Sequence, residues 1–355
     1  MHKNTPPILG KRVVSSWLGY SGGMALILLL SLGVMVVLAF LLSSAPGKTL
    51  GLFFLGPIRN TYYFGNMINA AIPLILGGLG VSIALQGNNF NLGGEGQIYA
   101  GAFVTTITAL SLSSLGIIGA ALALLAGAAV SGLTAGLSAL LKTKWNTSEL
   151  ISSFLLSNAL ILIINYLVTG PFLDPETNLQ STRKIALSFR FPLILPPSNL
   201  SGALFFALAA VLLVYVFLYR TLAGYEVRIA GINEGFAKYG GINTAWNRIL
   251  PMFLSGVFYG TGGALAVYGT YYATVKEFSA GMGWNSFAVA LIARSKPQGI
   301  IPAAIFFAWI GSGARLAMQF SDVTFEIASI VQSVVFFLVS STVLGNLFKR
   351  KGPAI

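Results

Sequence analysis

Nine carboxylates are all the acid chemistry that this chain of 355 residues contains: Glu95, Glu149, Asp174, Glu176, Glu226, Glu234, Glu277, Asp322 and Glu326. Only Glu95 falls between two long apolar stretches, where an ionisable group is costly unless paired or hydrated, and is a functional candidate for that reason. There is no cysteine, and the one histidine, His2, lies in a terminal tail. Thiolate nucleophiles, iron–sulfur clusters and metal cages are thereby excluded, as is a Ser-His-Asp triad. The sequence predicts no enzyme, no metal and no cofactor. What it offers instead is a cluster of amides, Asn88, Asn89, Asn91 and Gln97, around Phe90. Uncharged donors and acceptors suit a neutral polar solute, and a phenyl ring can stack on a planar one. A plainer reading stands beside this one. Asparagines also satisfy free backbone groups where a helix stops, and Glu95 at the start of the next helix gains about 0.3–1 kcal/mol from its dipole. For Glu95 the capping role is the stronger expectation.

These residues sit on a break, Gly87–Gln97, flanked by the apolar segments 72–85 and 98–110. Its four glycines disfavour helix by roughly 1 kcal/mol each relative to alanine, so the helix is expected to end near Gln86 and restart near Glu95. The setting is a membrane. Of the residues 55% are hydrophobic and 8% charged, with a mean hydropathy of +0.81, whereas soluble domains carry about 25% charged residues. Non-helical backbone at that depth is tolerated only against protein or a water-filled cavity, and broken helices often line solute paths. The net charge of +12 does not indicate nucleic acid, because the 21 Lys and Arg lie in short clusters between apolar spans.

The hydropathy predicts an all-α polytopic membrane protein of about ten transmembrane helices, with broken helices and inverted repeats. Residues 1–23 are expected to form a cytoplasmic tail, 24–348 a single transmembrane domain, and 349–355 a second cytoplasmic tail. The run 24–42 is long enough to cross about 30 Å of hydrocarbon and too long for the core of a cleaved signal. On this threading the cytoplasmic loops hold 14 of the 21 basic residues and the external ones six, with Arg315 at a helix end. The halves are expected at about 62–168 and 249–348. In the second, Lys276–Asn285 is the glycine-rich counterpart of the first break, and the spacing inverts one series against the other. The loop 169–201, with Arg183, Lys184 and Arg190, is the largest external segment, and the basic loop 220–248 is internal. Each is an ordinary solvated surface or a docking site. Gly132/Gly136 and Gly256/Gly260 are expected to pack helices. Gly47-Lys48-Thr49 lacks the leading glycine of a phosphate loop, because Leu42 stands there.

Two motifs carry a family resemblance. Phe90-Asn91-Leu92-Gly93-Gly94-Glu95-Gly96-Gln97 is close to a Phe-Asn-Ile-Gly-Ala-Glu-Gly-Gln string. Gly231, Asn233, Ala237, Tyr239, Gly241 and Ile242 fall on a Gly-x-Asn-x-x-x-Ala-x-Tyr-x-Gly-Ile pattern. Thr147–Ile151 and Phe287–Gly299 add weaker matches, with departures at Glu234, Phe236, Ser295 and Lys296. Over residues 60–345 the chain resembles the permease subunits of nucleoside-type ABC importers, grouped with ribose and other sugar permeases. The resemblance implies a permease of the bacterial inner membrane that moves a neutral solute, a nucleoside first, riboflavin or a simple sugar next. It implies three partners: an ATPase subunit held through Gly231–Ile242, a second permease forming a heterodimer, and an extracytoplasmic binding lipoprotein. An ion-coupled secondary transporter is the rival class, disfavoured because such proteins line their ion paths with several ionisable residues.

Overall fold

The computed structural model describes residues 32–324 apart from 42 and 280, with isolated positions between 326 and 337. It divides into two compact units, Met1–Phe54 with Ala314–Ile355, and Leu55–Gly313. The expected first and last spans, 24–42 and 325–348, lie largely outside the described residues. In the smaller unit, helix α1 (Leu32–Leu41) precedes the start of α2 (Pro46–Leu55). Between them the Ser43 and Ser44 hydroxyls and the Ser44 N–H all donate to the Asp322 carboxylate at 2.6 Å, which holds that exposed carboxyl well below the usual range.

The larger unit is built on α3 (Thr61–Gln86), which Asn60 starts by accepting the Tyr63 N–H at 2.9 Å. At about 1.5 Å per residue it exceeds the thickness of a bilayer core, and it is buried without interruption from Ala71 to Ala84. Against it pack α10 (Thr244–Ala266), α11 (Met282–Ile292) and α7 (Ala203–Arg220). Helices α4 (Gly94–Ser111), α5 (Gly116–Trp145) and α6 (Glu149–Thr169) complete the bundle. Where α10 meets α5 a side chain at Gly260 would stand 2.6 Å from Ser131 Cβ, so the small-residue spacing does bring helices together. The outer faces of α5 and α7 stay apolar and exposed. Among the described residues six helices are long and apolar enough to cross a membrane, and there is no strand, only two isolated bridges.

Both breaks are present. The helix stops at Gln86 and restarts at Gly94, one residue from the expected position. In the second half α10 passes into a π-turn, Val267–Tyr271, and irregular backbone leads to α11. Eleven residues of helix cover only about 16 Å. Helix α11 is therefore not by itself a full helical crossing, and residues 272–279 lie outside regular helix. The long loop 170–201 runs along that segment. Thr182 N–H donates to Thr274 O at 3.0 Å, Ile185 N–H to Tyr272 O at 2.8 Å, and Lys276 N–H to Gln180 O at 2.9 Å.

Candidate functional site

The first break turns on Asn88, whose φ of 54° is the left-handed conformation that asparagine tolerates better than most residues. Beyond it, Asn91 and Gln97 form a reciprocal amide pair. Asn91 Nδ2 donates to Gln97 Oε1 at 2.8 Å and Gln97 Nε2 returns a bond to Asn91 Oδ1 at 3.0 Å. Asn91 also donates to Ser255 Oγ at 3.0 Å and accepts from Gly93 N–H at 3.0 Å. Both side chains are buried, with their hydrogen bonds directed into the protein. Asn89 is buried as well. It donates to Arg248 O at 3.3 Å and accepts at 3.2 Å from Lys142 Nζ, which pairs with Glu149 at 2.7 Å. Of the six residues singled out at the break, Asn88 and Phe90 are exposed.

The free N–H groups that begin α4 are met from α6. Ser153 Oγ accepts Leu92 N–H at 3.1 Å and Ser157 Oγ accepts Gly96 N–H at 2.8 Å. These two serines, four apart inside an apolar span, escaped the reading of the sequence. Their spacing on one helical face was the available signal. Glu95 caps a different helix from the one it starts. Its carboxylate receives the backbone N–H groups of Gly283 and Gly281, at the beginning of α11, and its Oε2 has no partner. The two half-helices meet there start to start. A side chain at Gly283 would fall on the backbone of Gly94 and Glu95, so only glycine allows this approach. Asn91, Leu92, Glu95, Tyr259, Gly283 and Trp284 surround a cavity of about 10 Å³, about the room needed by one water. No nucleoside-sized solute fits inside it.

The segment 220–248 forms two short helices, α8 (Leu222–Ile232) and α9 (Glu234–Tyr239), the second capped by Asn233 Oδ1 accepting Phe236 N–H at 3.0 Å. A side chain at Gly231 would collide with Gln86 O, so α8 ends directly on the first break. Glu234 pairs with Arg248, whose carbonyl holds Asn89. Ala237 is buried in its own chain, while Tyr239 is 96% exposed beside exposed Phe236 and Ile232. Gly241 turns the chain with a φ of 78°, and Ile242 N–H closes on Ala237 O at 3.0 Å.

A family described as branched-chain amino acid transport system / permease component matches residues 63–340. The chain belongs to this permease family. It is 32% identical over 332 residues to a "Probable riboflavin import permease protein" of Treponema pallidum, covering 93% of this chain and 86% of that one. A guanosine ABC transporter permease protein of Bacillus subtilis is 29% identical over 337 residues, 92% of this chain and 96% of the other. A glucose ABC transporter permease protein of Haloferax volcanii is 28% identical over 358 residues, 96% and 94% respectively. No solved structure matches the chain. It is a membrane-embedded permease subunit of an ABC importer, a system that includes an ATPase and a binding protein.

On the permease's long loop the three basic residues differ in availability. Arg190 donates to Ile185 O at 2.9 Å and lies 4.6 Å over the Tyr272 ring, so it holds the loop together. Arg183 and Lys184 project freely. Among the described residues, no group of three or more His, Cys, Asp or Glu is placed to bind a metal.

Proposed function

We propose that this permease carries a neutral solute with a planar ring system, of nucleoside type, into a bacterial cytoplasm as one half of a heterodimeric pore. Support for the solute class comes from the relatives named for guanosine, nucleosides and riboflavin. The relative named for glucose keeps a simple sugar as the second reading. About ten crossings put both termini in the cytoplasm, with Lys142, α8 and α9 on that side.

The observation that carries the mechanism is the contact of Gly231 with the Gln86 carbonyl. An ATPase subunit docked on Phe236 and Tyr239 pushes on α8 and α9, and that movement reaches the first break through Gly231 and through Glu234, Arg248 and Asn89. Asn88 and Phe90 border the path at this level, while Asn89, Asn91, Glu95 and Gln97 hold the break in shape behind them. Arg183 and Lys184 receive the binding lipoprotein on the opposite side, with Arg190 shaping the loop that presents them.

Uptake by the complete complex in proteoliposomes tests the reading, with guanosine, adenosine, riboflavin, ribose and glucose in competition. ATP-dependent accumulation of guanosine, displaced by adenosine and little affected by glucose, is the expected result. Accumulation without ATP, or of sugars alone, overturns it.

A further inference from the structure

The outer surface of α6 is not uniformly oily. Among the exposed Ile151, Leu155, Leu162 and Ile163 stands an exposed amide, Asn158. Its Nδ2 donates to Phe154 O at 2.9 Å, and no hydrogen bond from the described residues reaches its Oδ1. Phe154, Asn158 and Asn165 follow one another at i, i+4 and i+11. At about 100° per residue this places them within about 40° of each other, along some 16 Å of helix. The second break lies against this stripe. The Trp284 ring sits 6.4 Å from that of Phe154 at an angle of 58°, and each residue is 43% exposed. Further along, Asn165 Nδ2 donates to Glu277 Oε1 at 3.1 Å and its Oδ1 accepts from Tyr99 at 2.9 Å. Glu277 itself is exposed.

A helix stripe in contact with lipid tails does not carry an open amide and a carboxylate, since each is penalised where nothing hydrates it. The outer face of α7 makes the comparison within the same molecule. Phe205, Phe206, Leu208, Leu212 and Leu213 cover it with hydrocarbon alone. We infer that Phe154, Asn158 and Asn165 of α6, with Trp284 and Glu277 of the second break, form this chain's half of the solute path, and that its ligand is a neutral planar heteroaromatic solute. Trp284 and Phe154 offer faces to the ring, and the Asn158 amide supplies one donor and one acceptor to its polar edge. A second permease closes the other side. The inference rests on the importer reading above, and it places the solute on α6 rather than in the cavity beside Glu95.

The chain has no cysteine, so single thiols can be introduced and tested in the complete complex during ATP turnover. Asn158→Cys and Phe154→Cys are compared with Ile163→Cys on the other side of α6 and Leu213→Cys on α7, using a charged, water-soluble methanethiosulfonate. The reagent needs a hydrated thiolate, so the two stripe positions should react about tenfold faster than the two controls. Excess guanosine should slow the stripe positions only. Equal rates at all four positions overturn the inference, as does cross-linking of Asn158→Cys to the second permease without reaction, which makes the stripe a protein interface. If the unaltered complex imports guanosine while the stripe stays unreactive, this inference alone falls. If the stripe is reactive and guanosine is neither imported nor protective, the solute class falls together with the proposed nucleoside-type function, and the watery stripe stands.

Discussion

Glu95, at the start of one half-helix, holds the N–H group of Gly283 at the start of the other, although 188 positions separate the two in sequence. The sequence motif around Glu95 is therefore completed by a residue of the opposite half.

Replacing Glu95 tests that junction. Glu95→Ala leaves the N–H groups of Gly281 and Gly283 without an acceptor, at about 1–3 kcal/mol for a buried donor. The purified protein should melt earlier, and Glu95→Gln, which retains an acceptor oxygen, should recover much of the loss. Thermal unfolding in detergent of all three proteins checks this. Equal melting of Glu95→Ala and the unaltered chain would remove the carboxylate from the junction.

Asn91→Leu removes the partner of Gln97, Ser255 and the Gly93 N–H together. Each group stranded in the interior costs about 1–3 kcal/mol, so expression and assembly should fall along with uptake. Asn88→Ala, at an exposed position, should leave assembly intact. Membrane yield and co-purification of the second permease separate the two outcomes.

Within the proposed coupling segment, residues 231–242, neighbouring residues should fail differently. Tyr239→Ala trims an exposed side chain and should weaken co-purification of the ATPase while the permease still folds. Ala237→Asp places a charge where the chain is fully buried, and an uncompensated buried charge costs about 3–5 kcal/mol, so the segment itself should come apart. Limited proteolysis of the purified permease, cut near residue 237 in the second variant alone, is the expected pattern.

The threading is tested with thiols on the two expected sides of the membrane. Thr177→Cys should be labelled from outside intact cells by an impermeant maleimide, and Lys351→Cys only after lysis. Labelling of Lys351→Cys in intact cells refutes a cytoplasmic carboxyl end.

Glycine content and hydropathy made the helix ends at Gln86 and Gly94 legible, because backbone freedom and apolar length act locally. The small-residue spacing at Gly256 and Gly260 was legible for the same reason. Long-range partnership was not. Nothing in the sequence tells Glu95 that its donors will come from the start of α11, or Asn91 that Gln97 and Ser255 will enclose it. Asn158 and Asn165 stand in an oily run that the sequence alone left unmarked, because the exposure of Asn158 depends on which neighbours leave that side of α6 bare. Ala237 matched a docking pattern, and only packing reveals that its methyl group turns inward while Tyr239 turns out.

The loop from 180 to 185 is fastened to residues 272–276 largely through main-chain hydrogen bonds. Such a seam is nearly indifferent to the side chains that project from it. Arg183 and Lys184 can therefore change without loosening the loop, because nothing in that attachment passes through their side chains.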